Sequence, residues 1–133
     1  MREKNLLRRR ESIPSVQTFL NAIHIERART DRTGESFSLV LFETGRGRDD
    51  RSTRRLRSAI ERRRRASDLI GWFDSRHLGV LLPATPLEGA REFAVDIVET
   101  LQSSGMRTRH SVFSYPAQKL EIQHLWEEAR SLG

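Results

Sequence analysis

The residues best suited to chemistry sit in one short turn. Asp74-Ser75-Arg76-His77 lies between two largely apolar runs, Leu69 to Phe73 and Leu78 to Leu82. A carboxylate, a hydroxyl, a guanidinium and an imidazole brought together can support acid–base or nucleophilic work. The surrounding sequence completes neither device. Ser75 lacks the G-x-S-x-G setting of a nucleophile elbow. His77 has no second histidine or acid at a recognised spacing and reads as a turn histidine. His24, His110 and His124 are scattered, with no H-E-x-x-H zinc spacing. Glu26 and Glu43 alone do not make an acid–base pair. Gly45-Arg46-Gly47-Arg48 offers glycines and arginines in a loop, but no strong helix start follows at once, as a phosphate-binding loop would require.

The elements that must hold this turn are legible in the pattern of apolar residues. Residues 1–13 read as an exposed basic lead-in or linker, and 14–133 as one domain. Val16, Phe19, Leu20 and Ile23 share one helical face, and the helix is expected to run to Arg29 or Thr30. Residues 36–43, apolar on both faces, predict a central buried strand. Residues 52–65 predict a helix with a thin apolar stripe of Leu56, Ala59 and Ile60 on a basic body. Residues 67–73 and 77–83 predict a hairpin, with Trp72 and Phe73 read as core.

Thr85, Pro86 and Glu88 form a capping-box pattern ahead of a stripe of Ala90, Phe93, Ala94, Ile97, Val98 and Leu101, which Gly105 is placed to end. Residues 107–116 predict a last strand, and 119–132 a terminal helix. The order α-β-α-β-β-α-β-α defines an α+β domain with helices packed on a mixed, mainly antiparallel sheet.

Composition limits what such a domain can be. Charged residues are 32% and apolar residues 36%, but the apolar residues cluster, so wholesale disorder is excluded. No run approaches the roughly 18–20 apolar residues that span a bilayer. The N-terminus has no apolar stretch of the secretory kind, so a cytoplasmic location without membrane insertion is expected. With no cysteine there is neither a disulfide nor a thiolate metal site. The net charge of +6 comes almost wholly from arginine, since only Lys4 and Lys119 are lysines. That permits anionic ligands without demanding them.

The order of elements and their residues resemble the GGDEF domain of diguanylate cyclases, which has the nucleotide-cyclase, ferredoxin-like core. The resemblance is carried by Arg65-Ala66-Ser67-Asp68, then Leu69 to Phe73, then the turn, then Val80-Leu81-Leu82-Pro83-Ala84-Thr85. Gly89-Ala90 at the next helix start and Ser111 to Pro116 in the late strand extend it, from about Phe19 to Ala129. It implies a bacterial signalling protein of the cyclic di-GMP system.

The departures bear on activity. In active members the turn supplies glycines for close phosphate approach and acids that hold divalent metal, as phosphoryl transfer requires. Here Asp74 and Ser75 stand at the glycine positions, Arg76 and His77 at the acid positions, and Leu78 replaces the final Phe. At the end of the first strand, Glu43 and Gly45 stand where two aspartates would bind metal. The link from Glu43 to Leu56 is short and lacks the family's base-recognition pairs. The resemblance is therefore to a degenerate domain, without cyclase activity, metal or cofactor.

What the resemblance leaves is a second, inhibitory product site, an R-x-x-D motif at Arg65 and Asp68. An arginine fork can grip a phosphate or a guanine edge, and an Asp can accept from guanine, so the pair is a candidate cyclic di-GMP site. Arg62, Arg63 and Arg64 would add positive potential. The alternative is an exposed ion pair worth about 0–1 kcal/mol.

The expected function is an inactive regulatory or protein-interaction domain, with cyclic di-GMP, a second copy or another domain as partner. A basic nucleic-acid-binding module and a weakly active cyclase are the alternatives. The former lacks a helix-turn-helix, zinc spacing or interleaved aromatics. The final helix closes at Leu132-Gly133, short for the family. Two readings stay open there, a piece of a longer protein and a minimal stand-alone form.

Overall fold

The computed structural model describes residues 12–45 and 50–116. The lead-in before Ser12, most of the glycine–arginine loop and the expected terminal helix lie outside the described residues. Helix α1, Val16–Thr33, starts where the Ser15 side chain accepts from the Thr18 amide, and buries Phe19, Leu20 and Ile23. It runs past the Thr30 end expected from sequence. Asp31, Arg32 and Thr33 are polar but helix-compatible, and only Gly34, at φ 79°, supplies the left-handed turn that stops it.

Strand β1, Phe37–Glu43, is buried throughout except at Glu43. Helix α2 is Arg51–Arg63, followed by strands β2, Leu69–Trp72, and β3, His77–Leu82. Helix α3 is Leu87–Ser103, and strand β4 is His110–Tyr115. The sheet order is β2-β3-β1-β4, and every pairing among the described residues is antiparallel. The α+β architecture is therefore as expected, with β1 central.

Alternation along the strands splits the core into two layers. Phe37, Leu39, Leu41, Leu81 and Tyr115 meet Phe19, Leu20 and Ile23 of α1 on one face. Val40, Phe42, Ile70, Val80 and Leu82 meet α2 and α3 on the other. Trp72 and Phe73 are both core residues, one in each layer. The Phe19 ring lies over Gly71 and Gly79, which pair across the β2–β3 hairpin.

Two local readings need correction. Thr85 does not cap α3: Pro86 is the cap residue, with no side-chain cap bond, and the helix starts at Leu87. The Thr85 hydroxyl instead donates to the Pro83 carbonyl, 2.8 Å away, and accepts from Arg65. Ile13, read as lead-in, packs against the core, and the Pro14 carbonyl accepts from the Trp72 amide on β2. At its other end α3 closes as Gly105 was expected to close it. Gly105 donates to Gln102 and Met106 to Leu101, a Schellman arrangement.

Candidate functional site

The hairpin turn is held from inside. The Asp74 carboxylate accepts from the Arg76 amide at 2.8 Å, and both its oxygens lie 2.9 Å from His77 Nδ1. Asp74 is buried, whereas Ser75 and Arg76 are exposed. Leu78, fully buried opposite Phe42, anchors the start of β3. His77 stands across the sheet from Glu43, and the Thr44 amide and hydroxyl both donate to the Arg76 carbonyl. The turn is thus bonded to the end of β1. His77 does have an acid partner, contrary to the reading from spacing. The hairpin folds residue 77 back over residue 74, so a three-residue separation becomes direct contact.

Burial alone would raise the Asp74 carboxyl. The bonds from His77 and from the Arg76 amide, together with the charge of the imidazole, outweigh it and hold the group below its ordinary value. Asp74 raises the His77 imidazole above its ordinary value against the opposing effect of burial. The Glu43 charge adds to the rise and Arg76 subtracts from it.

The raised imidazole contributes stability that is complete below about pH 6.5, its unfolded value, and is lost as pH rises through the higher folded value. The lowered carboxyl contributes stability that is present above about pH 4 and is lost as pH falls through the folded value. The pair therefore supports the fold best between these limits. Thermal melting from acid to mildly alkaline pH is expected to show a fall in Tm above neutrality that His77→Asn reduces. A mutant profile parallel to wild type would contradict this.

The second cluster ties two turns together. The Asp68 side chain is only 2% exposed, against 53% for that of Arg65. Asp68 accepts from the Arg65 amide at 2.9 Å and from Arg65 Nη2 at 3.1 Å. The same Nη2 also donates to the Pro83 carbonyl at 3.1 Å and to Thr85 Oγ1 at 2.6 Å. The pair is not the exposed ion pair of the alternative reading. It is a clamp between the α2–β2 and β3–α3 turns.

Arg64 reinforces the clamp by donating to the Asp68 carbonyl at 2.8 Å. Arg63 faces the other way, 2.7 Å from Asp96 and over the Phe93 ring. Of the three arginines expected to add potential, only Arg64 reaches the groove beside this corner. That groove, about 410 Å³, is lined by Arg57, Glu61, Arg64, Asp68 and Ile70, with Pro14 at its wall.

The residues at the first-strand end do not suit a divalent metal. Glu43 is a single exposed carboxylate beside an imidazole biased toward its cationic form, and both Asp74 oxygens are engaged. Among the described residues, no group of three or more His, Asp or Glu side chains is arranged to hold a metal ion.

Two further residues escaped sequence reading. Tyr115, in the strand end matched to the family, donates to Asp31 at 2.6 Å. Ser38 donates to the Thr85 carbonyl at 2.6 Å, securing the clamp from beneath. An isolated serine in an apolar strand was the only signal for the latter.

No family model matches the sequence, and no curated protein matches it. Solved structures do. A DGC protein from Thermotoga maritima is similar at a TM-score of 0.67 and 16% identity, over 89% of this chain and 95% of that one. A GGDEF domain from Pseudomonas aeruginosa is similar at 0.64 and 18%, over 92% of this chain and 87% of that one. PelD from the same organism, in complex with c-di-GMP, is similar at 0.61 and 19%, over 86% of this chain and 44% of that one. These likenesses concern the fold, an α+β domain with a four-stranded antiparallel sheet. Within that class the chain has the GGDEF-like fold of diguanylate cyclase domains.

Proposed function

We propose that this domain is a catalytically inactive GGDEF-like module that works in the cytoplasm as a regulatory or protein-interaction unit. The hairpin turn carries the reading. Phosphoryl transfer between nucleotides needs carboxylates free to hold metal, and glycines that let backbone amides reach phosphate. Here Arg76 and His77 occupy the positions of the acids, and the remaining acid of the turn, Asp74, is committed to His77 and the Arg76 amide.

A second reading adds a ligand. PelD, similar in fold, is described in complex with c-di-GMP. The groove beside Asp68 carries Arg57 and Arg64, cations that can contact phosphate, together with Glu61, which pairs with Arg64 at 2.8 Å and would have to give way. In this reading Arg65 swings from its clamp to grip the ligand.

Isothermal calorimetry tests both readings. GTP with magnesium is expected to give no sustained heat of turnover, and continuous heat from its conversion would contradict the first. Saturable micromolar binding of cyclic di-GMP, lost in Arg65→Ala, would establish the receptor reading. No heat with cyclic di-GMP would leave the interaction module alone. Arg65→Ala is the cleaner variant, because Asp68 is buried and its loss disturbs the fold. Salt-sensitive binding of a short duplex alone would favour a nucleic-acid role instead.

A further inference from the structure

Helices α2 and α3 lie side by side on one face of the sheet and carry opposite charge. Between Arg51 and Arg63, α2 holds six arginines against Glu61 alone. Between Leu87 and Ser103, α3 holds Glu88, Glu92, Asp96 and Glu99 against Arg91 alone. An ion pair joins the two helices within the chain, Arg63 to Asp96.

Six of the remaining charged residues face outward in two stripes, with Arg54, Arg57, Glu61 and Arg91 outside them. Arg51, Arg55, Ser58 and Arg62 are exposed and follow one another at steps of four, three and four residues. Glu88, Glu92, Val95 and Glu99 are exposed and follow at the same steps. Each set keeps to one helix face, opposite the buried Leu56, Ala59 and Ile60 of α2 and the buried Ala90, Ala94 and Ile97 of α3. None of Arg51, Arg55, Arg62, Glu88, Glu92 and Glu99 makes an ion pair among the described residues. Val95, at 47%, is one of two large exposed apolar side chains among the described residues.

The topology fixes how such stripes can meet. All neighbouring strands are antiparallel, so β1 and β2 run one way, and β3 and β4 the other. Helix α2 returns from β1 to β2 and α3 from β3 to β4, so the two helices are themselves antiparallel. A two-fold axis lying along the helices, between two copies facing each other through this layer, sets α2 of each copy against α3 of the other. The pairing is antiparallel and occurs twice. An axis across the helices would instead set α2 against α2, arginine against arginine.

We propose that the outer face of α2 and α3 docks a second copy of this chain, with Arg51, Arg55 and Arg62 of each facing Glu88, Glu92 and Glu99 of the other. The occupant follows from charge: one chain carries both halves of the match. The face measures about 20 Å by 20 Å, near 400 Å² per copy, which is the size of weak and transient contacts. Its attraction is chiefly electrostatic and lies at the surface. The dimer is therefore weak, and salt dissociates it.

Sedimentation of the full chain at up to about 1 mM, in about 0.02 M and about 0.5 M salt, tests this. Wild type is expected to dimerise at low salt, with association at least about tenfold weaker at high salt. Arg51→Glu, Arg55→Glu and Arg62→Glu together make both stripes acidic. Glu88→Arg, Glu92→Arg and Glu99→Arg together make both basic. Each triple variant alone is expected to be monomeric, and the two mixed to form a one-to-one dimer. Circular dichroism confirms that each is folded. Arg62→Glu and Glu92→Arg, as single variants, carry the same test if a triple variant does not fold. A monomeric wild type at low salt would overturn the proposal. So would folded swap variants that self-associate like wild type, or that stay apart when mixed.

Discussion

Gly71→Ala is expected to destabilise the domain by about 2–3 kcal/mol. A methyl group at Gly71 would overlap the Phe19 ring and its Cβ. At Gly79 it would come within 2.6 Å of Phe19 Cε2 and 2.8 Å of Cζ. The ring cannot retreat, because Phe19 is fully buried beneath α1. The two glycines pair across the hairpin, so they form a flat floor on which one aromatic ring lies. Phe19→Ala is expected to cost about 3–5 kcal/mol, the range for removing a buried phenylalanine. The two losses should not add. With the ring gone, a methyl at Gly71 has room, so Gly71→Ala in the Phe19→Ala background should cost much less than it does in wild type. Urea unfolding of the four proteins measures this. Additive costs would show that the glycines serve something other than the ring.

Asp68→Ala is expected to cost about 2–4 kcal/mol, and Arg65→Ala only about 1 kcal/mol. The asymmetry follows from burial. Removing the buried carboxylate strips the Arg65 amide and guanidinium of an acceptor at the clamp, where Arg64 also bonds the Asp68 carbonyl. Removing the half-exposed guanidinium leaves Asp68 its bond from the Arg65 amide and opens it to water. Thr85 keeps its own bond to Pro83 in either case. Equal losses for the two variants, read from urea midpoints, would contradict the clamp. The same asymmetry governs any ligand test at this corner, since an effect of Asp68→Ala on binding cannot be separated from its effect on folding.

Elements with strong periodicity were legible in the sequence. The apolar stripe of α3 and the two-sided apolar run of β1 each have one physical solution, and Gly105 ends α3 in the way its chemistry requires. Helix α1 ran longer than its apolar face, because polar residues sustain a helix until a residue such as Gly34 can turn left-handed. The capping pattern at Thr85 misled for a different reason. Its hydroxyl had a better partner in the Arg65 guanidinium, 20 residues earlier, and local spacing cannot reveal a long-range competitor. Arg65 and Asp68 illustrate the same limit: the sequence supplied the pair, but only the fold brings Pro83 and Thr85 to it. Asp74 and His77 were both visible as turn residues. Their contact depended on the tightness of the hairpin, and the glycine floor depended on Phe19 arriving from another element.

Incubation of the pure protein with GTP and magnesium, followed by chromatography of the nucleotides, tests the central claim most directly. An active GGDEF domain of known competence serves as the control. The turn built on Asp74, Arg76 and His77 predicts that GTP remains unchanged and that neither cyclic di-GMP nor pyrophosphate accumulates above a protein-free blank. Sustained formation of cyclic di-GMP, proportional to the amount of this protein, would contradict it.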